Sequence, residues 1–480
     1  MGSTTDTATL ELPAYIAGEA VTSDARLEVL YPWDNSVTGT VPLLGPEHLE
    51  RAITAGLSPG EPLTRFQRHE VLQKARALLT ERAEEFAKLL CAESGLCIFE
   101  TRYEVGRTQD VLQFAAMEAL RDDGQVFSCD ISPTGPQRKI FTLRDPLRLV
   151  VAITPFNHPL NQVAHKIAPA IAAGAPVILK PSEKTPLVAT KFTELLYEAG
   201  LPGWMLSCVV GTVEEFVTPL IADPRVELVS FTGSAAVGKT IAKTAGYKKL
   251  CLELGGNSPL IVLADADLEL AVQLAAEGCY RNSGQRCTAV KRILVHADIE
   301  AEFTERLVAK TAEYPVGDPA KDATRVGTVI DEAAAIRLEE AYTDAVSRGA
   351  KILTGGERSG AQIPPTVLNR VPRDAPMIVE ESFGPLAPIL CITDLDDAIS
   401  LANSTAYGLS SGVVTNDMAA AMRCVRELRT GTVNINQVPG FRIESSPFGG
   451  VKDSGLGIKE GVIEAMKTMS TVKTFSLPWA

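Results

Sequence analysis

Continuous apolar runs are scarce in this 480-residue chain. The longest uncharged one, IAPAIAAGAPVIL over residues 167–179, is well short of the roughly 20 residues that span a bilayer. The start, MGSTTDTATLELPAYIAG, has neither a basic opening nor an apolar core, so no signal peptide is expected and the cytoplasm is the expected location. Cationic excess is missing as well. With 46 Lys and Arg against 59 Asp and Glu, the formal net charge is −13; the overall field repels nucleic acid and anionic membranes, and any basic cluster must serve a small anion locally. The 9 cysteines are scattered and odd in number, with no Cys-x-x-Cys, which argues against a disulfide framework and a zinc site; no metal is expected. Short-period repeats and low-complexity linkers are likewise absent.

What is present is the material of a large globular enzyme. A chain 45% apolar and 22% charged can bury more than one core, and two large lobes are expected. RFQRHEVLQKARALLTERAEEFAKLLCAESG repeats its apolar positions at three and four, which predicts a helix closed by Gly95. From residue 147, short β-rich runs (LRLVVAIT, VILK, WMLSCVV, VELVSFT, KLCLEL) alternate with helix-length segments, which predicts parallel strands with helical crossovers. A second alternation begins near residue 260, with RILVH, KILTGG and GTVNIN. QVFSCDISPTGPQRKIFTLRD and the tail TVKTFSLPWA read as extended pieces outside this pattern, and either could pair across an oligomer interface.

Four segments carry chemistry. FTGSAAVGKT, residues 231–240, fits the GxxxxGK[ST] pattern of a phosphate-cradling loop, so a P-loop ATPase is the alternative from a different class. Against it, several strand–helix units precede the motif, whereas a P-loop usually opens its domain. The same backbone physics suits a dinucleotide pyrophosphate held by Gly233 and Ser234 at a helix start. LELGGNSP ends an apolar strand in Glu253, a carboxylate that is either functional or part of a buried ion pair. In TPFNHPLN, Asn157 is a helix cap or an oxyanion donor. In NSGQRCTAVKR, Cys287 is an inert core thiol or a nucleophile; Arg286, Lys291 and Arg292 make its setting positive, which favours thiolate.

Taken in order, PFNHP, VILKPSEKTP, FTGSAAVG, LELGGNSP, NSGQRC, EESFGP and PFGGVKDSG resemble the aldehyde dehydrogenase superfamily from about residue 10 to 478. The resemblance implies an α/β fold without GxGxxG: a Rossmann-like NAD-binding domain (1–124 and 146–254), an α/β catalytic domain (255–445), and a small bridging sheet (125–145 and 465–480) that builds a homodimer or homotetramer. It implies Cys287 as the nucleophile and Asn157, with the Cys287 N–H, as the oxyanion hole, where one donor is typically worth on the order of 3 kcal/mol. Glu253 is implied as the base for hydrolysis, which argues against transfer to coenzyme A. Cofactor contacts are implied at Lys180, Ser182, Glu183, Gly211, Gly233, Ser234, Leu254, Glu381 and Phe383. A carboxylate at Glu183 suits ribose hydroxyls and repels a 2′-phosphate, so NAD is expected, with NADP possible.

Departures from the family pattern bear on the substrate. Arg286 precedes the cysteine and His158 follows the asparagine, where much of the family is apolar, small or aromatic. Arg107 and Arg442 fall where the family lines its substrate funnel, and Arg121 is a further candidate. Guanidinium forks suit a tetrahedral anion. GQRCTAVKR resembles both phosphonoacetaldehyde dehydrogenases and non-phosphorylating glyceraldehyde-3-phosphate dehydrogenases. VPGFRIESSPFGGVKDSGLGIKEG, KTFSLPW, His158 and Glu183 lean towards the former. The expectation is oxidation of phosphonoacetaldehyde to phosphonoacetate in 2-aminoethylphosphonate catabolism. Glyceraldehyde 3-phosphate and other sulfo- or carboxy-aldehydes are the alternatives.

Overall fold

The computed structural model describes residues 9–458 and 460–479. Five parallel strands, Val150–Ile153, Val177–Lys180, Leu206–Cys208, Leu228–Thr232 and Lys249–Glu253, form most of a 7-stranded sheet. Its far edge is an antiparallel pair, Ala14–Ile16 and Glu19–Val21. Strands such as VVAI are buried at every position because helices cover both faces. A second 7-stranded sheet holds Ser258–Val262, Val290–His296, Leu386–Ile392 and Ser410–Val414 at its centre. The chain leaves the first sheet at Glu253 and enters the second at Ser258, so the carboxyl end of one strand lies at the junction of the two sheets.

The helical pattern of residues 65–95 forms two helices, Arg65–Glu81 and Ala83–Ser94. Arg82 breaks them with φ −102° and ψ 18°, and its guanidinium forks onto Glu198 at 2.8 and 2.7 Å. Gly95 ends the second helix at φ 70°. The two extended pieces pair with each other: Ser470–Pro478 runs antiparallel to Arg138–Pro146, with Val126–Ser128 on the other edge. Residues from 465 do not all belong to that sheet, because Val462–Thr468 is a helix whose Val462 enters the core of the first lobe. Residues 1–8, the first part of the N-terminal stretch read for a signal peptide, and Ala480 lie outside the described residues. Among the described residues no helix is long and apolar enough to cross a membrane.

Candidate active site

Cys287 is delivered by an unusual turn. After the helix Leu268–Tyr280, Asn282, Ser283 and Gly284 take φ of 59°, 51° and 69°. Left-handed backbone costs a non-glycine residue roughly 1–2 kcal/mol, so the turn persists only because its neighbours hold it. Asn282 Nδ2 donates to the Asn157 carbonyl at 2.9 Å, and Gln285 Oε1 accepts the Ile330 N–H at 2.9 Å. At Gly284 a Cβ would stand 2.1 Å from the Gly384 carbonyl oxygen, so only glycine fits. The turn sets Cys287 in the wall of two cavities, of about 580 and 350 Å³.

Around the sulfur stand the groups needed for acyl chemistry. Asn157 donates one amide N–H to the Gln285 carbonyl at 2.8 Å, which fixes the side chain and leaves its other N–H for a ligand. Glu253 closes its strand, is 4% exposed, and lines the larger cavity with Asn157 and Cys287. Burial pushes the Cys287 thiol up, Lys291 and Arg442 pull it down, and Glu381 and Glu253 add to the upward push. The basic tail of the motif is thus divided in function. Lys291 acts on the cysteine, whereas Arg292 does not: its guanidinium is spent on the carbonyls of Asn257, Leu401 and Ala402, a clamp between chain segments.

The smaller cavity gathers the arginines. Arg107, His158, Arg286 and Arg442 line it together with Cys287, although they come from distant segments. Arg107 gives its Nε to Glu444 at 2.5 Å, and the other Glu444 oxygen meets His165 at 2.6 Å. Burial raises the Glu444 carboxyl, but His165, Arg107 and Arg442 outweigh it and hold it well below the carboxylate range. Burial lowers the His165 pKa while its contact with Glu444 raises it. Arg281, not foreseen, also lines the cavity and forks onto Glu100 at 2.9 Å through both Nε and NH2. His158 faces Glu104 at 3.3 Å, a buried carboxylate that also accepts the N–H groups of Leu160 and Asn161.

Arg286 and Arg442 differ from these paired cations. Arg286 donates to the carbonyls of Glu277 and Gly278 at 3.0 Å, and its buried Nε has no partner among the described residues. Arg442 lies 4.0 Å over the Phe448 ring. Among the described residues neither has a carboxylate within ion-pair distance, and burial works against the charge of both. Arg121 is a correction. It is exposed near Glu118 and lines a different depression with Asp123, Arg144 and Lys467 beside the three-stranded sheet, because the chain has by then left the helix Ile98–Ala119 that carries Arg107.

Glu104 and Glu444 could have been suspected from sequence by spacing alone: the first is one turn before Arg107, the second two residues after Arg442. Neither signal separates a buried partner from a solvated acid.

The larger cavity suits a dinucleotide's reactive end. Pro155, Phe156, Gly233, Ser234, Leu254, Glu381 and Phe383 line it, with Phe156 and Phe383 packed edge to face at 5.9 Å. Ser234 caps the helix Ala235–Ala245, so that helix's free N–H groups open onto the cavity, a setting suited to pyrophosphate. Lys180, Ser182, Glu183 and Gly211 follow the next strands along the same carboxyl edge but do not line this cavity. Lys180 is ion-paired with Glu183. The residues present therefore fit NAD or NADP, which when bound supplies the hydride acceptor.

The P-loop match does not survive the backbone. The helix begins at Ala235, so Gly238 and Lys239 lie inside it, where no phosphate-wrapping loop exists. Gly238 is there for packing, since a Cβ would stand 2.4 Å from Leu254, and Lys239 pairs with Asp453 at 2.6 Å.

A half-buried cysteine, an amide donor and a carboxylate, lining a cavity suited to a dinucleotide between two mostly parallel sheets, fit a cysteine-dependent oxidoreductase acting on carbonyls. The aldehyde dehydrogenase family model matches residues 20–475, and the chain belongs to that family. A 3-sulfolactaldehyde dehydrogenase of Priestia aryabhattai is 40% identical over 457 residues, covering 95% of this chain and 96% of that protein. The sulfoacetaldehyde dehydrogenase of Neptuniibacter caesariensis is 39% identical, covering 92% and 97%. Among solved structures, the NADP-dependent glyceraldehyde-3-phosphate dehydrogenase of Bacillus halodurans C-125, complexed with NADP, superposes with a TM-score of 0.94 at 32% identity, covering 98% and 100%. The protein is an NAD(P)-dependent aldehyde dehydrogenase.

Proposed function

We propose that the enzyme oxidises a short aldehyde carrying a tetrahedral anion, phosphonate or sulfonate, at its far end to the corresponding carboxylate. The observation that carries this reading is the pair Arg286 and Arg442, two half-buried guanidiniums that meet no carboxylate within ion-pair distance among the described residues, in the cavity that Cys287 shares. Burying unpaired charge is costly, and a bound anion would relieve it with charge-assisted bonds. A phosphonate dianion matches two such cations, which keeps phosphonoacetaldehyde as the specific candidate; the sulfonate aldehydes in the names of the similar proteins carry the same three-oxygen head with less charge.

In this reading the Cys287 thiolate adds to the aldehyde carbon, and the new oxyanion takes hydrogen bonds from Asn157 Nδ2 and the Cys287 N–H. Loss of hydride leaves a thioester. Glu253 takes a proton from water as the water attacks it, and the acid leaves with Cys287 restored. The Glu183 carboxylate at the sheet edge favours NAD, although Lys180 partly neutralises it. The exposed apolar side chains Val126, Phe127, Val472 and Phe475 support the three-stranded sheet as the contact with a second copy. The division of the sheets at residues 253 to 258 supports a cofactor domain before it and a catalytic domain after it.

Steady-state kinetics on phosphonoacetaldehyde, sulfoacetaldehyde, 3-sulfolactaldehyde, glyceraldehyde 3-phosphate, succinate semialdehyde and an uncharged aldehyde test the proposal. The highest kcat/KM is expected for a tetrahedral anion. Equal values for the uncharged member would sink it.

A further inference from the structure

Lys291 is 1% exposed near the start of the strand Val290–His296, so its ammonium must be held inside the protein. The Gly256 carbonyl accepts from Nζ at 2.9 Å, Glu381 Oε1 accepts at 2.5 Å, and the centroid of the Phe383 ring is 5.0 Å away. Gly256 also packs directly on the backbone of Cys287, since a Cβ built there would lie 2.4 Å from the Cys287 carbonyl oxygen. The ammonium is therefore one glycine away from Cys287, behind the wall that Cys287, Glu381 and Phe383 share. An apolar side chain would fill this space without the cost of burying a charge.

We propose that Lys291 is a positioning residue of the reaction: it clamps Glu381 by one carboxylate oxygen and supplies the fixed positive charge beside which Cys287 acts as nucleophile. The clamp is lopsided in a useful way. Glu381 Oε1 also accepts the Gly256 N–H at 3.0 Å, while Oε2 lies against Gly255 on the cavity wall, where a ligand hydroxyl can reach it.

Several elements bring charge to Cys287. Lys291 and Arg442 favour its ionised form, and Glu381 and Glu253 oppose it; Arg286, its chain neighbour, turns its bonds to the carbonyls of Glu277 and Gly278. Loss of Lys291 removes a cation and uncovers the Glu381 carboxylate, and both changes disfavour the thiolate.

The test is alkylation of Cys287 by iodoacetamide in the full chain without cofactor, read by peptide mass as a function of pH. The thiolate forms the S–C bond as iodide leaves, so the rate follows the ionised fraction. Lys291→Met should slow alkylation near neutral pH about tenfold, by moving the inflection up about one pH unit, and leave the high-pH plateau unchanged. Lys291→Arg should keep most of the wild-type rate, and adding Glu381→Gln to Lys291→Met should recover part of the loss. Glu381→Gln alone should speed alkylation near neutral pH, which tests the idea even if Lys291→Met does not fold. An inflection that stays in place in Glu381→Gln overturns the proposal. The assay uses no aldehyde, so its result stands apart from the substrate question.

Discussion

Arg107 Nε meets Glu444 Oε1 at 2.5 Å, whereas Arg442, two residues earlier in the loop that carries Glu444, meets no carboxylate within ion-pair distance among the described residues. The same cavity thus receives one neutralised cation and one bare one. Arg442→Ala should lower kcat/KM for the preferred anionic aldehyde by on the order of 2–4 kcal/mol, the cost of losing a charged partner in a desolvated site. Turnover of an uncharged aldehyde should fall much less, by only the share that Arg442 contributes to the Cys287 thiolate, and kinetics on the pair of substrates measure the difference.

The Glu444 carboxylate also links stability to pH. Its folded pKa is depressed, so its contribution is present above the unfolded value, near 4.3, and is lost as pH falls towards the folded one. Glu444→Gln should cost about 3 kcal/mol near neutrality by leaving Arg107 unpaired. Urea midpoints of the two proteins should converge as the pH falls below roughly 4.

Asn157 is held by Gln285 in one orientation, so its free N–H is aimed before substrate arrives. Asn157→Ala should lower kcat by roughly 100- to 1000-fold, as for other single oxyanion donors. Cys287 alkylation should continue, since the sulfur does not depend on that amide for its charge.

Glu253→Gln separates the two halves of the reaction. Rapid mixing should give about one equivalent of NADH per site and then a stall, with the thioester trapped on Cys287 and detectable by mass. Steady NADH formation at the wild-type rate would remove Glu253 from hydrolysis.

Lys239 is more than half exposed and paired with Asp453. Lys239→Ala should therefore keep forming NADH at close to the wild-type rate, followed by absorbance. A P-loop enzyme would lose its activity.

Much of the site was legible because family motifs sit at strand ends, where backbone geometry dictates residue type. Glu253, Gly233 and Ser234 each follow an apolar run, and Cys287 follows a turn in which Gly284 is sterically required. The convergence of Arg107, Arg286 and Arg442 on one cavity was also legible, because Arg286 departs from the family pattern and Arg107 and Arg442 fall where the family lines its substrate funnel. Arg121 was misplaced by the same reasoning, which could not tell how far along a helix the cavity extends. Arg292 misled for a related cause: a basic residue next to a motif says nothing about which way its side chain turns.

The sequence by itself determined the layered α/β architecture and the family motifs with the basic residues beside them, because periodicity and local motifs are properties of neighbouring residues. Only the tertiary structure decided which cations remain available. Glu444 neutralises Arg107, Glu100 holds Arg281, and backbone carbonyls take Arg292 and part of Arg286, whose Nε has no partner among the described residues, while Arg442 meets no carboxylate within ion-pair distance among them. These pairings join residues far apart in the chain, and the strength of each depends on burial that no local pattern records.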